Sequence, residues 1–447
     1  ELNLDLSIPE QTLIGLSFAD PTPAGFKVWV DNLPLANVGE ISRQLYQAII
    51  ELNKLAIPPL LRSQLLEIMR PPIEYVCKEL SKHFLNQSVV LPEKQQKIAN
   101  LAQAIQIHLA TGYKIILLES TPNLGNDKQR KNFIHAAHRL FAEYGQVILR
   151  SCQLYTATPK NIWLEMHRVY VFAEALDFLK YKIEDSQNKY QVETRVDQAY
   201  KRNLLLNSAR PNQLRQSDIQ VAFDIFELWS DFVEIDADLV DSSVFIVNME
   251  QDSTPRYKSL MSSSSPNHYG FDTSDLVERI HEHLDEPNKT TNEALSVPKN
   301  VSDILLNHLN QAFGVLTKRS FKRIENEGAL NLCVGLSATH YFSSGKVPFH
   351  TQMLQRNTSG QESDSNIFLT QTLRKDAWSD AYDSGGRQSS TPSDSPISFN
   401  QHSSDDSSDA YPSYEVPLVN TSPGGYCLQW QGEIPSNIQA GEVLSLR

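Results

Sequence analysis

Apolar residues recur every three to four positions through the first half of the chain, which is the spacing of a helix with one buried face. The clearest run comprises Ile41, Leu45, Ile49 and Leu52. Pro58 and Pro59 end this predicted helix, and a second one begins over residues 60–69. We expect Pro71-Pro72 to break the chain again, because proline lacks the backbone N–H that a helix interior uses.

The same periodicity continues to about residue 235 and predicts a helical domain over residues 41–235. Further helices are expected near residues 94–111, 127–146, 158–184, 189–206 and 217–230. Residues 1–40 have a different pattern, since Phe26-Lys-Val-Trp-Val30 alternates between apolar and polar and several prolines flank it. We therefore predict a short extended or β segment before the helical domain.

The pattern is mixed over residues 236–315. Residues 244–248 form a compact β-branched run that is typical of a strand, and residues 261–266 have the serine-rich composition of a surface linker. Two amphipathic stretches, near 273–284 and 299–316, predict two helices.

Strand-like runs return in the last third of the chain, at residues 329–336, 414–419 and 426–430. Residues 345–412, which separate them, are rich in Ser, Asp and Gln. Such a composition buries too little apolar surface to offset the entropy of ordering, so it predicts a disordered insertion. The last residues, 441–447, resemble the middle of a strand, so we expect a fragment whose C-terminal fold is truncated.

The charge of the chain narrows the function classes. With 40 Lys and Arg against 53 Asp and Glu, the formal net charge is −13, which argues against a dedicated DNA- or RNA-binding protein. No run of 18 apolar residues predicts a membrane span, and the first residues lack the features of a signal peptide. The four cysteines are widely separated, as reduced thiols are in the cytoplasm, where we expect the protein to act: Cys77, Cys152, Cys333 and Cys427.

Two short motifs carry candidate binding chemistry. Arg319 and Arg323 form an Arg-x-x-x-Arg pair just before a predicted strand, and guanidinium groups bind phosphate oxygens or the O6/N7 edge of guanine. The alternative is a helix end whose cations complement the macrodipole. Asn420-x-Ser422-x-x-Gly425 lies between two predicted strands and suits a turn that also offers polar groups to a ligand. The alternative for this motif is a plain hairpin turn.

The order of these elements resembles the PilZ domain: an arginine pair, strands, the Asn/Ser/Gly turn, and a further strand. This resemblance covers residues 316–447 and implies an antiparallel β-barrel that binds the bacterial second messenger cyclic di-GMP. Arg319 and Arg323 would then clamp phosphates and guanine edges, Asn420 and Ser422 would make polar contacts, and Gly425 would permit close approach of the backbone. Here the insertion separates the motifs by about a hundred residues, which a loop tolerates because closure entropy grows slowly with length.

Other motifs are incomplete. Gly335-Leu-Ser-Ala-Thr339 lacks the second glycine of a hydrolase nucleophile elbow. The pairs His135/His138 and His281/His283 lack the third and fourth ligands that a metal site usually needs, so we predict no metal and no cofactor besides the nucleotide ligand.

The sequence therefore predicts an α+β protein, with a mainly helical N-terminal region before a truncated PilZ-like barrel. The favoured function is a cytosolic cyclic di-GMP receptor that is not an enzyme. It would relay the signal to a partner protein through its helical region, in motility or surface attachment by type IV pili, which the resemblance to large PilZ proteins suggests. The alternative is a helical scaffold whose PilZ-like module has lost its ligand.

Overall fold

The computed structural model describes residues 4–87, 91–261, 265–285, 295–315, 324–325, 328–347, 411, 413–422, 425–430, 438 and 443–446. The chain divides into two compact units. The first comprises Glu1–Ser320 with Ile438–Gly441, and the second comprises Phe321–Asn437 with Glu442–Arg447.

The first unit is mainly helical. Its helices are α1 (Pro23–Asp31), α2 (Val38–Lys54), α3 (Pro59–Ser81), α4 (Glu93–Ser120), α5 (Asp127–Gln153), α6 (Ile162–Ala175), α7 (Val196–Ser208), α8 (Gln216–Trp229), α9 (Ser274–Asp285) and α10 (Asp303–Phe313). Its strands are β1 (Lys182–Glu184), β2 (Glu193–Arg195), β3 (Glu234–Asp236), β4 (Phe245–Asn248), β5 (Arg256–Tyr257) and β6 (His268–Asp272).

Helices α4 and α5 form the centre of the helical core. Helix α4 packs against α2, α3 and α5, and α5 also contacts α6, α7 and α8. Large side chains on both helices are completely buried, among them Tyr113, Phe133 and Phe141. Burial of each such side chain contributes roughly 1.5–3 kcal/mol, so these two helices hold the unit together.

The segment Glu93–Asn123, which is α4 with the turn after it, is long and apolar enough to cross a membrane by length and composition alone. It is the one such segment among the described residues, and its most apolar window is 67% buried inside the protein. The central helix of a helical core has the same composition, because it is apolar all round.

The predicted strand around Phe26 is wrong, since this segment is helix α1. Thr22 accepts a hydrogen bond from the Gly25 N–H, and Pro23 begins the helix, where its missing N–H costs nothing. Phe26 is completely buried, and its ring contacts the ring of Trp29, three residues on. The apparent alternation was a helical pattern read over too few residues.

The predicted break at Pro71-Pro72 is also wrong, because both prolines lie inside α3. A proline inside a helix costs about 3 kcal/mol. Tertiary interactions on both sides offset that cost: Met69 and Ile73 are completely buried, and Arg70 forms buried ion pairs.

The helices predicted over residues 158–184 and 189–206 are shorter than expected. Helix α6 ends at Ala175, because Asp177 adopts a left-handed conformation and the Phe178 N–H returns to the Ala173 carbonyl. Strands β1 and β2 then form an antiparallel hairpin before α7.

A four-stranded antiparallel sheet follows α8, in the order β3-β6-β4-β5. Only β4 was predicted from its sequence. Strand β6 contains Gly270, where a Cβ atom would lie 2.2 Å from the Leu239 carbonyl oxygen, so this position requires glycine. The helices predicted near residues 273–284 and 299–316 are confirmed as α9 and α10.

A buried ion network links α3 and α5 to the β1–β2 hairpin. Arg70 donates to Glu143 at 2.6 Å and to both oxygens of Asp185 at 2.7 and 2.9 Å. Arg139 adds a contact of 3.2 Å to Asp185. Burial raises the pKa of Asp185, but the charges of Arg70 and Arg139 and the hydrogen bonds from Arg70 together outweigh it and hold that pKa well below its usual range.

The second unit is β-rich. Its elements are β7 (Ile324–Glu325), β8 (Ala329–Val334), α11 (Leu336–Ser343), β9 (Ser413–Ser422), β10 (Gly425–Leu428) and β11 (Leu444–Leu446). The strands form an antiparallel sheet in the order β10-β9-β8-β11, and β7 also pairs with β9. The α+β class and the three strands predicted here are confirmed. Residues 348–410, most of the predicted insertion, lie outside the described residues.

Candidate functional site

The strand that carries the Asn/Ser motif has neighbours on both sides. Asn420 of β9 lies opposite Cys427 of β10 and opposite Glu325 of β7. Thr421 lies opposite Tyr426 and Ile324 in the same way. Three strands therefore meet at the end of β9, and the backbone of the motif is held by sheet pairing.

The turn is narrower than the sequence predicted. Asn420 and Ser422 belong to β9, and Ser422 lies opposite Gly425, the first residue of β10. The prediction of a turn over residues 420–425 is wrong in this respect, because pairing with β10 extends the strand through Asn420 to Ser422. The connection is confined to residues 423–424, which lie outside the described residues.

Gly425 combines an unusual backbone conformation with open space. Its φ is +147°, which residues with a Cβ atom rarely adopt. A Cβ atom on Gly425 would meet no atom of the described residues within 4 Å. The backbone conformation, rather than crowding by the described residues, therefore explains the glycine.

Arg319 and Arg323 lie outside the described residues, so the structure gives no geometry for either guanidinium. The sequence does fix which described residue follows Arg323. Arg323 is bonded to Ile324, whose partner across the sheet is Thr421. In sequence, the arginine motif therefore ends one residue before β7, which pairs with the strand that carries Asn420 and Ser422.

Strands β7 and β8 lie along the same edge of β9. Glu325 lies opposite Asn420 and Ala329 lies opposite Pro417, so the β7–β8 side contains one residue more than β9 does. Gly328, just before β8, has a φ of +154°, and its carbonyl accepts a hydrogen bond from the Leu418 N–H at 2.8 Å.

Sequence reasoning found the two motifs but missed the residues that face them. The pairing of β7, β9 and β10 is what identifies these neighbours, which are Glu325, Cys427 and Tyr426. The pairing depends on a contact between distant parts of the chain, for which the local sequence holds no signal.

The histidine pair on α5 belongs to the helical core. His138 is buried and His135 lies 3.6 Å from Glu67. Burial lowers the pKa of His138 to about 3 and that of His135 to about 4. Among the residues that the structure describes, no group of three or more His, Cys, Asp or Glu could hold a metal ion.

Comparison with known proteins identifies the family. Residues 24–238 match the family model for the N-terminal domain of the cyclic-di-GMP receptor FimW, and residues 244–447 match the model for its middle PilZ domain. The cyclic-di-GMP receptor FimW of Pseudomonas aeruginosa is 38% identical over 467 aligned residues, which cover 100% of this chain and 75% of that protein. The chain belongs to the FimW family. No solved structure matches it significantly.

The resemblance to PilZ domains is thereby confirmed, and the helical region is the N-terminal domain of the FimW family. The FimW model for the PilZ domain begins at residue 244 and includes β4 to α10, whereas the sequence motifs predicted a boundary at residue 316. The five predicted ligand-binding residues all lie within the range of that model.

Proposed function

We propose that this protein is a receptor for cyclic di-GMP, which it binds where β7, β9 and β10 meet. Membership of the FimW family supports the ligand. The pairing of Ile324 with Thr421 supports this position of the site. Ile324 directly follows the arginine motif in sequence, and Thr421 is in the middle of the Asn/Ser/Gly motif.

Each residue of the site has a chemical role in this proposal. Arg319 and Arg323 bind the phosphates and the guanine edges, since guanidinium groups pair with both. Asn420 and Ser422 supply hydrogen-bonding groups at the end of β9. Gly425 leaves open the space into which the ligand fits.

The net charge makes the arginine pair essential. A ligand with two phosphates approaches a chain of net charge −13, so local cations must overcome a repulsive field.

The protein acts in this proposal as a non-enzymatic cytoplasmic receptor. We propose that the helical unit contacts a partner protein that carries the signal onward, in motility or surface attachment.

Isothermal titration with cyclic di-GMP, and with cyclic di-AMP as the matched ligand, tests the proposed function. Adenine lacks the O6 acceptor that arginine binds in guanine. We expect micromolar or tighter binding of cyclic di-GMP and binding of cyclic di-AMP at least about tenfold weaker. If neither ligand binds, the protein is instead a helical scaffold with a degenerate PilZ module.

A further inference from the structure

A cleft formed wholly by residues of the first unit has a volume of about 610 Å³. The loop after α5, the start of α6, the end of α7 and the connection between β4 and β5 surround it. Its lining includes the side chains of Trp163, Asn207, Arg210, Asp252 and Arg256. This volume is in the range of small-molecule binding sites.

Two residues that line the cleft each have a buried side-chain nitrogen without a hydrogen-bond acceptor among the described residues. Trp163 is only 3% exposed, and its Nε1 has no hydrogen-bond partner among the described residues. The same holds for Nδ2 of Asn207. Buried donors are nearly always hydrogen-bonded in proteins, so two orphaned donors beside one cleft indicate a missing acceptor.

The cleft lining also contains two arginines that form no ion pair within the described residues. Arg210 donates through Nε and Nη2 to the hydroxyl of Tyr257, at 2.9 and 2.6 Å, and has no ion-pair partner in the described part of the chain. Arg256 likewise has no carboxylate partner within the described ranges. Guanidinium groups suit the binding of carboxylate and phosphate oxygens, and these two lie in a protein whose net charge is negative.

The one carboxylate in the cleft is already engaged. Asp252 accepts hydrogen bonds from the backbone N–H groups of Asn161, Trp163 and Leu164, at 2.7, 3.1 and 3.2 Å. It therefore caps the start of α6 and is stabilised by that helix end. The groups left for a ligand are cations and neutral donors.

We propose that this cleft binds a small organic oxyanion, a molecule with a phosphate or carboxylate group. Arg210 and Arg256 bind the charged group, and Trp163 and Asn207 donate to its oxygen atoms. The apolar part of the ligand lies against Tyr155 and Pro211, which also line the cleft.

The position of the cleft gives this ligand a structural consequence. The lining residues from Cys152 to Asn212 lie in the range of the N-terminal FimW model, and those from Asp252 to Arg256 lie in the range of the PilZ model. A bound oxyanion therefore stabilises the junction of these two regions. This site involves none of the residues proposed to bind cyclic di-GMP.

The indole N–H of Trp163 provides a direct test by NMR. The chain has five tryptophans, so a protein with ¹⁵N-labelled indoles gives five N–H signals, and Trp163→Phe assigns the one of interest. Sodium pyrophosphate and sodium citrate are the probes, with sodium chloride at equal ionic strength as the reference. The variants are Arg256→Gln and, as the matched control, Arg215→Gln, which removes an exposed arginine outside the cleft lining.

We expect the Trp163 signal to move saturably with at least one probe, at half-saturation below about 1 mM, and Arg256→Gln to weaken binding at least about tenfold. A response to pyrophosphate alone assigns a phosphate ligand, and a response to citrate alone assigns a carboxylate ligand. The proposal is overturned if neither probe moves the signal, or if Arg256→Gln and Arg215→Gln respond like the wild type. Thermal unfolding of both variants checks that they remain folded.

Discussion

Ile324 of β7 pairs with Thr421 of β9, although about a hundred residues of chain separate them. Thr421 lies between Asn420 and Ser422, and Ile324 directly follows Arg323. The pairing joins the residue after the arginine motif, in sequence, to the middle of the Asn/Ser/Gly motif. A long insertion between Ile324 and Thr421 adds little to the entropy of closing the loop, so this pairing tolerates it.

Gly425→Ala is expected to weaken cyclic di-GMP binding. The φ of +147° is costly for alanine, by about 1–3 kcal/mol, so the start of β10 must shift away from Ser422. We predict an affinity lower by at least about tenfold in isothermal titration. The matched control is Gly125→Ala, where a Cβ atom also meets nothing within 4 Å but the backbone has no such restriction. Equal affinities of the two variants would contradict the role given to Gly425.

The sequence predicted much of the helical unit, and its errors have physical causes. Helix α8 was predicted within about a residue at each end, because its apolar periodicity is strong. Helix α3 was predicted to end before Pro71, because the cost of Pro71 and Pro72 is a local property whereas the ion pairs of Arg70 are not. Such long-range compensation has no signal in the local sequence.

The sequence predicted which residues form the candidate site, but it did not predict how the strands that carry them pair. The motifs identified Asn420, Ser422 and Gly425, but the register that places Ser422 opposite Gly425 depends on where β10 begins. The cleft lined by Trp163 and Arg256 was not predicted from the sequence. Trp163, Asn207 and Arg256 are widely spaced along the chain and form no motif, so only the fold brings them together.

Asp185→Asn is expected to destabilise the helical unit strongly. The substitution keeps the shape of the side chain but leaves the buried charge of Arg70 without its bidentate partner. Breaking a buried ion pair in this way costs about 3–5 kcal/mol. Urea unfolding followed by helical circular dichroism measures the loss.

Asp127→Asn is the control for this variant. Asp127 pairs with Arg130 at the surface, where its side chain is 74% exposed, so its loss costs at most about 1 kcal/mol. Similar losses in the two variants would show that the Arg70 network contributes no more than a surface pair.

The helical unit is expected to lose stability in mild acid. Burial lowers the pKa of His138 to about 3 and that of His167 to about 4, below the usual value of about 6.5 in the unfolded chain. Between these values the unfolded chain binds protons that the folded chain does not bind. Stability therefore falls as the pH is lowered from about 6.5 towards 4, by up to about 1.4 kcal/mol per pH unit for each histidine.

Urea unfolding at pH 7 and at pH 5 checks this pH dependence. His138→Gln removes one titrating group and is expected to reduce the difference between the two conditions by up to about 2 kcal/mol. An unchanged difference would show that His138 is protonated as readily in the folded protein as in the unfolded chain.

Arg319→Ala removes one of the two arginines that we propose bind cyclic di-GMP, and the affinity of this variant for the ligand tests the proposed site. Cyclic di-GMP is titrated into the wild type, into Arg319→Ala and into a control variant, Arg215→Ala. The control removes an exposed arginine from the helical unit. We predict micromolar or tighter binding by the wild type and by Arg215→Ala, and no detectable binding by Arg319→Ala, with unchanged helical circular dichroism in all three. Micromolar binding retained by Arg319→Ala would contradict the assigned site.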